Sequence, residues 1–114
     1  MKTLKINKPW GYEQLIEKNK KFMFKKLFMK KNHRCSLQYH EKKIEVVFVI
    51  QGKLKVYLKN KKRLVPRIMK SGDFLLIKPK TIHRMEGVTN STYLEASTPE
   101  LNDVIRLLDD YKRV

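Results

Sequence analysis

The sequence predicts an all-β chain folded as an antiparallel sandwich or barrel. Three observations carry this. Short stretches rich in Val, Ile, Leu, Phe and Tyr recur along the 114 residues, separated by Gly, Pro, Asn and Lys turn clusters. Residues 53–59 alternate, with Leu54, Val56 and Leu58 on one face and Lys53, Lys55, Tyr57 and Lys59 on the other. Helical spacing shows only in the tail.

Size and composition set the outer bounds. A chain of 114 residues has room for one core, so residues 1–114 read as a single domain. Its 41% hydrophobic content is that of an ordinary globular chain. No apolar run approaches the roughly 20 residues that span a bilayer, and the N-terminus lacks the apolar core and cleavage site of a signal peptide. Cys35 is the only cysteine, which excludes an intramolecular disulfide and fits a reducing cytoplasm. Its expected role is that of a small residue at the start of a strand.

The net charge of +16 raises nucleic acid as a partner. The charge is spread along the chain, however, and no nucleic-acid motif accompanies it. Neither nucleic acid nor a membrane is the expected partner. A positive field instead favours encounter with phosphorylated or nucleotide-linked sugars.

Taken in order, the chain begins extended from Lys2 to Tyr12, and Pro9 keeps Lys8 out of helical geometry. Trp10-Gly11-Tyr12 reads as a turn whose Trp10 caps the open end of the barrel. Glu13 to Glu17 and Lys21 to Met29 read as strands joined by the polar turn Lys18-Asn19-Lys20. Phe22, Phe24, Leu27 and Met29 do not alternate cleanly, which a bulge or a two-sided strand would explain. Lys30 to Arg34 is a loop that leaves His33 in solvent. Val46 to Ile50 has the β-branched and aromatic content of a buried strand. Gln51-Gly52-Lys53 is a hairpin signal, and Asn60-Lys61-Lys62-Arg63 is a hairpin tip. Leu64 to Met69 returns, with Pro66 marking an edge strand. After the turn Ser71-Gly72-Asp73, Phe74 to Ile77 forms another strand, and Tyr93 to Ala96 is expected to be the last. Thr98-Pro99-Glu100 then reads as a helix start. Leu101, Val104, Ile105 and Leu108 follow helical spacing, so a short C-terminal helix is expected to pack on the barrel. Arg106 and Arg113 would lie two turns apart on nearly one face of it.

Chemistry-bearing residues concentrate around Ser36-Leu37-Gln38-Tyr39-His40 and Glu45. On a strand, Gln38 and His40 share a face. Glu45 follows after the short break Glu41-Lys42-Lys43, and His83 comes far downstream after the strand 74–77. One amide oxygen, one carboxylate and two imidazoles, Gln38, His40, Glu45 and His83, form a plausible set for one divalent metal ion. Such a mixed set does not choose among zinc, manganese, iron, cobalt and nickel.

The spacing Gln-x-His, four residues, Glu, six residues, Gly over Gln38, His40, Glu45 and Gly52 resembles the first cupin motif. Gly72 through His83 resembles the second. The order of Lys8-Pro9-Trp10-Gly11-Tyr12-Glu13, Ser36 to His40, His83-Arg84, Asp103-Val104-Ile105-Arg106 and Tyr111-Lys112-Arg113 is similar to the C-terminal cupin part of type II mannose-6-phosphate isomerases. The resemblance implies a small single-domain cupin, a jelly-roll β-barrel, working as a cytoplasmic homodimer. It also implies a metal-dependent sugar-phosphate isomerase that interconverts an aldose and a ketose in polysaccharide or nucleotide-sugar precursor synthesis. Lys8 and Arg84 would bind substrate, and Arg106 and Arg113 would be catalytic. The proton-carrying base is not identified by the resemblance. Two other readings are a non-catalytic sugar- or effector-binding cupin and an epimerase acting on an activated sugar. The chain departs from the family at Glu41, Lys42 and Lys43, at Val46 and Val47, and at Lys78, Lys80 and Lys112. The nucleotidyltransferase domain that often accompanies the family is not within this chain.

Overall fold

The computed structural model describes residues 3–113; Lys2, where the extended start of the chain was expected, lies outside them. Eleven strands and no helix make up the described chain: β1 (Leu4–Lys8), β2 (Gly11–Lys18), β3 (Met23–Met29), β4 (Leu37–Tyr39), β5 (Glu45–Gln51), β6 (Lys53–Asn60), β7 (Arg63–Lys70), β8 (Phe74–Ile77), β9 (His83–Gly87), β10 (Ser91–Ser97) and β11 (Ile105–Leu108). They form two sheets. One has the order β1-β2-β3-β10-β5-β8, and the other has the order β11-β4-β9-β6-β7. Every strand pair is antiparallel. The all-β jelly-roll expectation therefore holds.

Period-two alternation decides what enters the space between the sheets. On β3 the inward register is Met23, Lys25, Leu27 and Met29; on β5 it is Glu45, Val47 and Val49; on β10 it is Ser91, Tyr93 and Glu95. Leu54 and Val56 on β6 and Met85 on β9 close the same core from the opposite sheet. Burying each full aliphatic side chain contributes about 1.5–3 kcal/mol. Trp10 is buried in this core, at the barrel end where its sequence position put it. The irregularity expected in β3 lies instead in β2, where the register with β3 slips between Leu15 and Glu17. Pro66 does sit on an edge strand, β7, so its missing N–H costs the sheet nothing.

Gln51-Gly52-Lys53 is not a hairpin. It carries the chain from β5 in one sheet to β6 in the other. Gly52 has φ +88, and a Cβ there would come within 2.3 Å of the Asn90 carbonyl oxygen, so the corner requires glycine. The true hairpin tip is Lys61–Lys62, with Asn60 paired to Arg63.

The predicted C-terminal helix is absent. Its place is taken by β11, which pairs Ile105 with Tyr39 and Arg106 with Gln38; Tyr93 to Ala96 is accordingly not the last strand. Two tertiary effects override the helical spacing. β4 would otherwise leave an edge of unpaired backbone groups beside the barrel. Upstream, the Asp103 carboxylate accepts the backbone N–H groups of Glu41, Lys42 and Lys43, which pins residues 100–104 as a turn. The apolar stripe expected to face the barrel does not do so as a unit. Leu108 is 61% exposed and Ile105 is 37% exposed, while Leu101 and Val104 line a cavity. Tyr111 packs against the core, and Asp110 pairs with Arg34, so the tail is held down by side chains rather than by a helix.

Candidate metal centre and its cavity

The cavity opens at one end of the barrel and has a volume of about 450 Å³, ample for a hexose phosphate. Three of the four candidate ligands meet beside it, and two of these, His40 and Glu45, line it. His40 lies just past β4, Glu45 begins β5 and His83 begins β9. One ligand atom from each lies within 4.8 Å of the other two. All three are buried. His40 Nε2 is 3.5 Å and His83 Nε2 is 3.6 Å from the same Glu45 oxygen, Oε1.

The tautomers follow from the backbone. His40 Nδ1 meets the Asp103 carbonyl oxygen, and His83 Nδ1 meets that of Thr81 at 2.8 Å. A carbonyl only accepts, so both Nδ1 atoms carry hydrogen, and neutral rings then present bare Nε2 lone pairs to the carboxylate. Burial pushes His83 toward the neutral form. His40 Nε2, His83 Nε2 and Glu45 Oε2 are buried without hydrogen-bond partners. Two lone pairs converging on a carboxylate repel unless a cation lies among them. The residues therefore fit a divalent metal ion, with the Nδ1 contacts fixing the rings as metal sites require. Burial opposes ionisation of Glu45, but the positive charge around it, the Lys43 ammonium above all, outweighs burial and holds the carboxyl below the usual range. Lys43 Nζ lies 3.5 Å from Glu45 Oε2.

Gln38 lines the same cavity. Its register places it between His83 on β9 and Arg106 on β11, one row across three strands. Its Oε1 accepts a hydrogen bond from Ser36 Oγ at 2.6 Å, and one lone pair remains.

The expected substrate and catalytic residues divide. Lys8, Arg106 and Arg113 line the cavity. Arg106 Nε is buried without a partner. Arg113 is committed: its guanidinium makes two bonds, of 2.7 and 3.1 Å, to Asp109. Arg84 faces away. Alternation on β9 turns it to the opposite side of the strand from His83, where its Nε donates to the Cys35 carbonyl at 3.0 Å and its Nη2 is 3.6 Å from Asp110. The two catalytic candidates do not share a helix face; β11 and the turn after it bring both to the cavity. His33 stays in its loop, bonded to the Lys31 carbonyl.

Sequence reasoning missed a second polar group in the cavity: Glu13, Lys25, Lys43 and Glu95. Lys25 pairs with Glu13 at 3.3 Å. Burial and then the Glu45 charge push the Glu95 carboxyl up, against the pull of Lys43 and Lys25. The missed signal was phase. Lys25 is in register with Met23, Leu27 and Met29, and Glu95 with Tyr93, so each charge lies on an inward apolar stripe.

Comparison with known proteins supports the fold and the family. The family described as mannose-6-phosphate isomerase C-terminal matches residues 1–107, which includes Arg106 and stops short of Arg113. A search of curated proteins finds no match. Among solved structures, the capsular polysaccharide assembling protein CapF from Staphylococcus aureus superposes with a TM-score of 0.81 at 14% identity, over 95% of this chain and 32% of CapF. KdgF from Halomonas sp. gives 0.76 at 16% identity, covering 90% of this chain and 92% of that one. An RmlC-like cupin from Shewanella frigidimarina gives 0.75 at 19% identity, covering 89% and 87%. The likeness is to the cupin fold. This chain spans about a third of the CapF chains it matches. Among the described residues no helix is long and apolar enough to cross a membrane.

Proposed function

The chain belongs to the mannose-6-phosphate isomerase C-terminal family, and from that premise we propose that it is a metal-dependent sugar-phosphate isomerase. Its reaction is aldose–ketose interconversion in the cytoplasm, for polysaccharide or nucleotide-sugar precursor synthesis. The observation that carries this reading is the buried His40–Glu45–His83 cluster with both Nε2 atoms unpartnered, set in a cavity also lined by Lys8, Arg106 and Arg113.

A bound divalent cation would supply Lewis-acid stabilisation of the charge that develops on the sugar oxygens. His40, Glu45 and His83 hold it, with Gln38 as the fourth ligand through its free lone pair. Lys8 and Arg106 receive the phosphate, and the unpartnered Arg106 Nε is the donor available for it. Lysine at position 8 supplies charge without the two-pronged grip of arginine. Trp10 and Tyr93 wall the cavity and keep water from the reacting carbons.

Homodimerisation belongs to the same proposal. The outer face of the six-stranded sheet carries apolar rows across its strands: Phe24, Ala96, Val46 and Leu76, then Leu94, Phe48 and Phe74. Phe74 is 69% exposed. A face of this kind is apolar enough to pair with a second copy.

The alternative of a non-catalytic sugar-binding cupin draws on the engagement of Arg113 by Asp109 and of Arg84 by the Cys35 carbonyl. Metal analysis of the purified protein, combined with a coupled mannose-6-phosphate assay on the metal-loaded form, separates the two. Stoichiometric metal with turnover supports the isomerase. Metal without turnover on any hexose phosphate supports the binding protein.

A further inference from the structure

An aldose–ketose isomerase needs a group that carries a proton between neighbouring carbons, and the cavity holds three carboxylates able to do so. Two are occupied. Glu45 faces both histidines and Lys43, and Glu13 is paired to Lys25. The third, Glu95, is inward-facing on β10 and 8% exposed. Among the described residues its carboxylate makes neither an ion pair nor a side-chain hydrogen bond. Nor is it an orphaned buried group, since its oxygens open onto the cavity.

Register fixes where Glu95 stands. It is opposite Val47 on β5, while Ser97 is opposite Glu45. Glu95 and Glu45 are therefore diagonal neighbours on adjacent strands, with Cα atoms about 7–8 Å apart. Both side chains enter the same cavity, so a substrate held there faces Glu95 and the metal-ligand cluster together. On the other side Glu95 is opposite Lys25 on β3, so a cationic residue flanks the carboxylate from a neighbouring strand.

We propose that Glu95 is the proton-transferring catalytic residue of the isomerisation, an assignment that rests on the isomerase reading above. Its carboxylate takes the proton from C2 of the aldose phosphate. The C2–H electron pair forms the C1=C2 bond, and the carbonyl pair moves onto O1, giving an enediolate. Glu95 then returns its proton to C1, and the O2 hydroxyl proton is transferred to O1, leaving the ketose carbonyl at C2. No oxidant, reductant or co-reactant is consumed.

The test is Glu95→Gln in the full chain, loaded with metal and assayed in both directions with mannose 6-phosphate and fructose 6-phosphate. The substitution keeps the side chain's size, and melting temperature and metal content are expected to match the parent. Turnover is expected to fall by at least about a hundredfold. Exchange of the C2 proton of mannose 6-phosphate with deuterated solvent, followed by NMR, is expected to fall with it, which loss of packing alone would not produce. Glu95→Asp, which keeps the acid on a shorter arm, is expected to retain more activity than Glu95→Gln. Less than a tenfold loss in Glu95→Gln, with proton exchange intact, overturns the assignment and leaves the isomerase reading standing. A parent protein that binds metal but interconverts no hexose phosphate overturns that reading, and the assignment falls with it.

Discussion

The two ends of the barrel are built from the same strands yet have opposite chemistry. Along the inward face β5 runs Glu45, Val47, Val49, and β3 runs Met23, Lys25, Leu27, Met29; on β9, His83 gives way to Met85. At one end carboxylates, ammonium groups and imidazoles stand among the inward side chains, beside Met23 and Ile77. At the other they are Met, Val and Leu, with Met29, Val49 and Leu54 fully enclosed. Hydrophobic burial at the apolar end offsets the desolvation that the polar end incurs. The barrel thus assigns stability to one end and chemistry to the other, and substitutions at each should move different observables.

The largest effect is expected at the ligands. His40→Ala or His83→Ala should remove most of the bound metal, measured by elemental analysis, and lower turnover by about three orders of magnitude or more, while circular dichroism reports an intact barrel. Unchanged metal in both variants would sink the proposed centre. Next comes the apolar end. Leu54→Ala should cost about 2–5 kcal/mol in denaturant unfolding with kcat unaltered; a matching fall in kcat would erase the distinction between the ends. Arg106→Ala should lower kcat/KM by about a hundredfold, and Arg113→Ala by less, because Asp109 already engages Arg113. An effect of Arg113 larger than that of Arg106 would move the phosphate site toward the chain end. Asp103→Ala keeps the carbonyl that meets His40 Nδ1 but removes the carboxylate that holds residues 41–43; it should weaken metal affinity by up to about tenfold, read by competition with a chelating dye. Smallest is the thiol. Burial, against a hydrogen bond from the Met85 N–H, pushes Cys35 up to about 11. At pH 8 it should react with a thiol reagent roughly a hundredfold more slowly than in the unfolded chain, with little loss of activity.

The contrast also explains what could be read from the residues alone. The clustering of His40, Glu45 and His83 was legible because residues that converge from neighbouring strands leave a fixed spacing and lie beside turn signals. The strands were legible because alternation such as Leu54, Val56, Leu58 is local. The tail was not. Leu101, Val104, Ile105 and Leu108 match helical spacing, and only the open edge of β4, some 65 residues upstream in pairings such as Ile105 with Tyr39, selects a strand instead. Arg84 was misplaced because adjacency to His83 in sequence means the opposite face on a strand. Glu95 was invisible for a related reason. A glutamate two residues from Tyr93 looks like any polar strand position until pairing with β3 and β5 shows that its face is the inner one.

Asp103 joins His40 and the 41–43 backbone to the last part of the chain across about 60 residues of sequence. During synthesis His40, Glu45 and His83 all leave the ribosome before the residue that orients His40. The order of events in folding follows from this. The barrel can collapse around its apolar end first, but the imidazole is locked with its hydrogen on Nδ1 only after the C-terminal segment docks. A chain truncated before Asp103 would present all three ligand side chains and still lack the orientation they need. At the proposed centre metal uptake would then mark the completion of folding, and its rate after dilution from denaturant would report the docking of β11.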